Sequence, residues 1–479
     1  MNTYSDFLSM IPEAALLAAL IILFVADFVS SKREERSWLN PLACLLMVPA
    51  IVLPLCCTKE VHLFGDMYRN LFGVNVVKSI LAAGTLIVFI MSKEWAKSSK
   101  KEGEYYMLMV STLLGMFVMM SAGHFLMFFL GLEMASVPLA CAVAFDAHRN
   151  NSAEAAAKYI LMATFSSGVM LFGISFIYAA CGTLYFDDVA NRLPSLYQQA
   201  SMLVIGLVFF FSGLGFKLSL VPFHFWTADT YQGAPTPVTG YLSVISKGAA
   251  AYTLLIILFH VFAVMVSVWE IMIYIVIVLS ITIANLFAIR QTELKRFMAF
   301  SSISQAGYIM LAAVGTDWKM SATALVYYVL IYIVANMSVF TIISVVEQKN
   351  GGRTEMSDYD GFYQTNPKLA FLMTLALFSL GGIPPFAGMF SKFFVFMAAA
   401  KSGFPLAYAL VFIALINTVV SLYYYLLIVK AMYIKKTDTP LPTFESDCGT
   451  KLALTICTAG IALFGVCSCI FDWLYTALQ

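Results

Sequence analysis

Polar residues in this chain gather in short clusters between apolar stretches of about 17 residues or more, the length an α-helix needs to cross the hydrocarbon of a bilayer. These stretches predict helices near 10–30, 39–57, 73–92, 105–122, 124–145, 157–181, 201–225, 237–262, 267–289, 297–316, 321–346, 367–398, 404–433 and 450–473. Such spacing describes an all-α membrane protein of about fourteen transmembrane helices, with no soluble domain between them. The longest connectors, 347–366 and 434–450, are polar and marked by Gly or Pro, as surface loops are.

Composition sharpens that picture. Of the 479 residues, 61% are hydrophobic and 11% charged, against about 25% charged in a soluble domain. With a mean hydropathy of +0.86 there is no polar remainder to cover such a core. A net charge of +1 gives no field that would gather nucleic acid. The nine cysteines form no Cys-x-x-Cys pair, so the sequence suggests neither a zinc site nor an iron–sulfur cluster. Because Met1 to Asp6 carries no basic start, the first apolar run is expected to remain as a span.

Orientation follows from the basic residues, which collect in cytoplasmic loops. Loops after odd-numbered spans hold 18 of the 28 Lys and Arg, with Lys32, Arg33, Arg149 and Lys295 among them; even-numbered loops hold 6, Lys59, Arg69, Lys78, Arg192, Lys319 and Lys401. Both termini are therefore expected on the outer, periplasmic side of a bacterial inner membrane. Four lysines have no loop to sit in: Lys158, Lys217, Lys247 and Lys392.

A charge at mid-membrane is costly, by about 2.5 to more than 10 kcal/mol, so it marks function unless something else explains it. A buried amine releases its proton more readily than one in water, which suits it to proton transfer. Lys217 lies in Gly213-Leu-Gly-Phe-Lys-Leu-Ser-Leu-Val-Pro222, where Pro222 lacks the N–H that would bond the Leu218 carbonyl and should break the helix. Lys392 follows Gly381-Gly-Ile-Pro-Pro385, where Pro384 and Pro385 free the carbonyls of Leu380 and Gly381. Two interrupted spans in the two halves point to a transporter built from inverted repeats, with a polar pocket at each break. Glu133, in an otherwise apolar span, is the acid expected deep in the membrane and the expected partner of Lys217. Lys247 should lie about 15 Å along the helix that starts near Pro237, and His224, just past the first break, could pass protons between the two lysines. Lys158, one turn past Glu154, has snorkelling to the interface as its plainer explanation. Glu13 and Asp27 read as interfacial, and His260 as facing water.

The strings Gly215-Phe-Lys217, Val221-Pro-Phe-His-Phe-Trp226, Asp229, Tyr231-Gln-Gly-Ala-Pro-Thr-Pro-Val-Thr239, Ser246-Lys247, Leu294-Lys-Arg296, Ala299-Phe-Ser-Ser-Ile303, Ala306-Gly-Tyr308 and Gly381-Gly-Ile-Pro-Pro385 through Lys392 closely resemble the antiporter-like subunits of respiratory complex I. The likeness covers roughly 105–430 and is nearest to the N lineage. A lysine at 392 argues against the M lineage, and the short C-terminus leaves no room for the lateral helix of the L lineage.

This resemblance implies three leading spans over 1–104, two inverted five-helix repeats over 105–262 and 267–433, each with a discontinuous helix, and a last loop and span over 434–479. It implies that Glu133 and Lys217 form the family's ion pair, that Lys247 is its central lysine, and that Lys392 is its terminal residue. The implied activity is proton translocation within a bacterial NADH:quinone oxidoreductase. NADH, FMN, iron–sulfur clusters and quinone would lie on other membrane and peripheral subunits, and this chain would bind no cofactor and no metal. The related cation/proton antiporter complexes and membrane-bound hydrogenases share much of the lysine pattern, and a pure scaffold is a third class; neither a bare cation at central lysines nor a scaffold accounts for the buried amines.

Overall fold

The computed structural model describes residues 10–30, 36, 38–146, 150–196, 201–437, 440–467 and 469–478. Lys32, Arg33 and Arg149, three of the residues that set the expected orientation, lie outside these.

Among the described residues thirteen helices are long and apolar enough to cross a membrane. The first three are α1 (Ile11–Ser30), α2 (Leu39–Cys56) and α3 (Phe72–Met91), with a short hairpin of β1 (Val61–Leu63) and β2 (Tyr68–Asn70) between the last two. After α4 (Lys93–Ser99) come α5 (Glu102–Met120), α6 (Phe125–Val143) and α7 (Asn150–Cys181). A short amphipathic helix, α8 (Phe186–Leu196), leads into α9 (Ser201–Leu218), and α10 (Phe225–Gly233) continues it after a break. Next are α11 (Thr236–Val261), α12 (Ala263–Ile289), α13 (Leu294–Val314) and α14 (Trp318–Lys349). The pair α15 (Pro367–Gly381) and α16 (Ala387–Ala400) forms one further crossing in two pieces, twelfth in chain order, followed by α17 (Pro405–Tyr433), α18 (Cys448–Val466) and the short α19 (Cys469–Ala477).

The predicted spans and both predicted interruptions are therefore present. Boundaries moved mainly where polar residues continue a helix past the hydrocarbon, so α7 starts at Asn150 rather than 157.

Burial separates two kinds of helix. The α13 helix is buried along its length, as is nearly all of α11 and α14, whereas α1, α2, α17 and α18 expose rows of large apolar side chains such as Phe24, Phe28, Phe412 and Val419. Exposed apolar rows face lipid, and the buried helices can carry polar groups because neighbouring protein satisfies them. With no hydrophobic drive between helices in lipid, close backbone approach holds them together. At Gly131 a Cβ would run into the Met119 backbone, so α5 and α6 meet at that glycine.

Two expectations about charge need correction. Lys78, counted with a loop, stands in the second turn of α3 and is fully buried, because α3 starts at Phe72. Lys295, also counted with a loop, lies in the first turn of α13 with 2% of its surface exposed.

Candidate functional site

The first break is built by a run of residues that cannot continue α9. Helix geometry stops at Leu218, Ser219 takes a left-handed φ of +62°, and the Leu220 N–H turns back to the Gly215 carbonyl at 2.8 Å. Pro222 follows with no N–H to offer. Lys217, in the last turn before the break, is 4% exposed. Its Nζ donates to Ser136 Oγ at 2.9 Å and to the Tyr159 hydroxyl at 3.3 Å. A cavity of about 10 Å³ between Ser136, Ser167 and Lys217 is about the size of one water molecule.

Glu133 sits one turn before Ser136 on α6, where its carboxylate accepts a hydrogen bond from Ser167. It is only half-buried, and no direct ion pair joins it to Lys217. Ser167, which donates to Glu133, lines the small cavity beside Lys217, and Ser136 rather than Glu133 is on the amine.

Lys247 lies on α11, immediately after a π-helical turn at Leu242–Ser246. Such turns add a residue to the helical register and recur at functional positions. Lys247 is 1% exposed, donates to Ser302 Oγ at 2.8 Å, and stands over the Tyr231 ring at 5.5 Å. Ser302 in turn meets the Tyr231 hydroxyl at 3.3 Å.

From Ser302 the polar groups continue along α13. Ser301 Oγ pairs with the Tyr425 hydroxyl at 2.5 Å, Gln305 Nε2 donates to that hydroxyl at 3.3 Å, and Tyr328 donates to Gln305 Oε1. The second break then receives the line. Gln305 Nε2 reaches the Leu380 carbonyl at 3.4 Å, and Lys392 Nζ donates to the Gly381 carbonyl at 3.1 Å. These are the two carbonyls that Pro384 and Pro385 leave without a helical donor. Lys392 is 4% exposed and lies 4.9 Å from the Tyr308 ring centroid.

Between Lys217 and Lys247 the contacts are aromatic instead. Tyr159 packs on Trp226 at 5.1 Å and Trp226 on Tyr231 at 6.4 Å, while the Trp226 indole N–H is committed to the Phe216 carbonyl at 3.0 Å. His224 makes no hydrogen bond to either lysine; its ring lies tilted against Phe225 at 4.6 Å and its Nδ1 has no partner.

Lys158 is not one of the buried lysines. With 43% of its side chain exposed, it pairs with Asp229 at 2.7 Å and Glu154 at 2.6 Å. Arg296 joins Asp229 at 2.6 Å, and the group lines an open polar cup of about 320 Å³ at the end of α7 that bears the basic loops.

Two further pairs were missed in the sequence. Glu13, read as interfacial, is buried and holds Lys78 at 2.6 Å and the Tyr68 hydroxyl at 2.7 Å. Glu347 faces Lys295 at 3.5 Å, and Lys295 also donates to the Ala234 carbonyl at 2.9 Å. Both acids are more deeply buried than Glu133. Lys78 fell inside a predicted span, which was the available signal. For the Ser301, Gln305 and Tyr308 line the signal was a polar stripe at helical spacing within one apolar span.

Among the described residues five lysines are thus buried, and they divide by partner. Lys78 and Lys295 face carboxylates, whereas Lys217, Lys247 and Lys392 are held by hydroxyl or carbonyl oxygens alone. An amine in a neutral cage can lose its proton without leaving a buried anion behind; one beside a carboxylate cannot.

Residues 122–421 match the family described as "NADH:quinone oxidoreductase/Mrp antiporter, TM". The NADH-quinone oxidoreductase subunit N of Phocaeicola vulgatus is 56% identical over 98% of both chains. That of Azobacteroides pseudotrichonymphae is 47% identical over 99% of this chain and 98% of its own. Among solved structures, a chain of respiratory complex I from Thermus thermophilus with bound aureothin is 28% identical with a TM-score of 0.79, over 95% of this chain and 97% of that one. A chain of the Mrp complex from Dietzia sp. shares the fold, with a TM-score of 0.85 at 17% identity over 100% of this chain and 97% of that one.

Proposed function

We propose, since the chain belongs to the NADH:quinone oxidoreductase/Mrp antiporter transmembrane family, that its three buried lysines without carboxylate partners carry the protons it moves. It is a multi-pass membrane subunit of a proton-translocating NADH:quinone oxidoreductase, and its partners are the other subunits of that complex. Oxidation of NADH, with flavin, iron–sulfur clusters and quinone, belongs to those partners. The site is placed in the bacterial inner membrane with both termini periplasmic, as the distribution of basic residues suggests.

The observation that carries the reading is the neutral cage around Lys217, Lys247 and Lys392. A conformational signal from the redox subunits moves Glu133 relative to Lys217 and so changes the proton affinity of Lys217, since a nearby carboxylate favours the ammonium. The proton crosses the Trp226 region by way of His224 and water, reaches Lys247, follows the line of Ser302, Tyr425 and Gln305, and leaves from Lys392. Moving one charge against 100 mV costs about 2.3 kcal/mol, under two pKa units, a change that bringing a carboxylate toward the amine or moving it away can supply. The two repeats, 105–262 and 267–433, would each hold one break, supported by the matching interruptions before Phe225 and before Ala387.

Lys217→Ala tests the route. In a normally assembled complex it should cut the protons pumped per NADH oxidised, and an unchanged ratio rules the route out.

A further inference from the structure

We propose that the groove between α15 and α18 binds an anionic phospholipid. Its volume is about 680 Å³, within the range of about 300–1,000 Å³ typical of ligand sites. It lies at the membrane boundary on the side of the basic loops, outside the lysine line.

The groove has a graded polarity. Lys368, in the first turn of α15, and Lys451, in the first turn of α18, stand at one end. Leu369, Leu372, Leu454 and Ala459, with Thr455 and Thr458 beside them, line the remainder, leading toward the membrane interior. Beside it, Phe371 and Leu463 are 56% and 52% exposed, as lipid-facing side chains are. Cation at the boundary and apolar wall below match a phosphate headgroup above an acyl chain.

Charge argues for the same occupant. Some basic residues of this face are paired on the chain: Lys158 and Arg296 with Asp229, and Lys435 with Asp360 at 3.3 Å. Among the described residues neither Lys368 nor Lys451 has such a partner. Glu445 also lines the groove at an exposed position, leaving one net positive charge. Basic pockets between helices at the cytoplasmic boundary recognise anionic headgroups. An apolar helix of a partner subunit would leave both amines unmatched.

The test uses the assembled complex in its native membrane, with photoreactive benzoylphenylalanine in place of Ala459, and a second probe at Thr455 in case the first does not assemble. Irradiation and mass spectrometry of the chain should give an adduct with an anionic phospholipid. Lys368→Gln with Lys451→Gln should lower that adduct about thirtyfold, equivalent to two charges at about 1 kcal/mol each. Lys368→Arg with Lys451→Arg should keep it. A cross-link to another polypeptide, no lipid adduct, or a yield indifferent to headgroup charge and to the Gln pair overturns the proposal.

Discussion

At the scale of single residues, the partner of each buried lysine decides what a substitution does. Lys78→Met leaves Glu13 as an unpaired buried carboxylate beside Tyr68, a situation that costs about 3–5 kcal/mol. The amount of assembled complex on a native gel should fall sharply. Replacing both partners, Lys78→Met with Glu13→Gln, should restore most of it, because a neutral pair of similar volume leaves no orphaned charge. Lys247→Met meets no carboxylate and leaves only the Ser302 hydroxyl without its donor. The complex should assemble at wild-type level and oxidise NADH while pumping fewer protons. Equal loss of assembly in Lys78→Met and Lys247→Met would remove the distinction between structural and proton-carrying lysines.

At the scale of elements, the breaks are held by backbone contact, and that can be measured. Gly388, near the start of α16, lies so close to Ser379 of α15 that an added Cβ would strike its carbonyl oxygen, and the Gly388 N–H donates to Ser379 Oγ at 3.2 Å. Gly388→Ala should lower the thermal midpoint of the purified complex by an amount in keeping with overpacking, about 1–3 kcal/mol. Gly168→Ala, on α7 with nothing within 4 Å of the new methyl, should not lower it. Both interruptions were legible in the sequence because they depend on local facts: apolar length and a proline with no N–H. The freed Gly381 carbonyl was legible too, from Pro385, but that Lys392 donates to it comes from the structure. The ion pairs were not legible. Lys78 and Glu13 are brought together by the packing of α2 against both α1 and α3, and nothing in either segment names the other. The π-turn before Lys247 likewise carries no mark in Leu242–Ser246, which contains neither glycine nor proline.

At the scale of the whole molecule, direction remains to be measured, since a proton line has meaning only with its sides assigned. One helix can settle it, because α14 runs from Asp317 at its N-cap to Lys349 in its last turn. Asp317 and Lys401 pair at 2.7 Å on the side predicted to be outer. The hydrogen bond from Lys401 holds the Asp317 carboxyl below its usual range, and the same bond holds the Lys401 amine above its own. The aspartate's contribution is present above its unfolded value of about 3.9 and is lost only as pH falls through the lower folded one. The lysine's is present below about 10.4 and is lost only as pH rises through the higher folded one. Between those limits the pin is constant, so a change in pumping near neutral pH has its source elsewhere. Being exposed, the pair contributes little to stability, and Lys401→Cys should be tolerated. A membrane-impermeant maleimide should label that cysteine in intact cells and should label Lys349→Cys only after the membrane is opened. The opposite pattern would invert the orientation, and with it the direction in which Lys392 releases its proton.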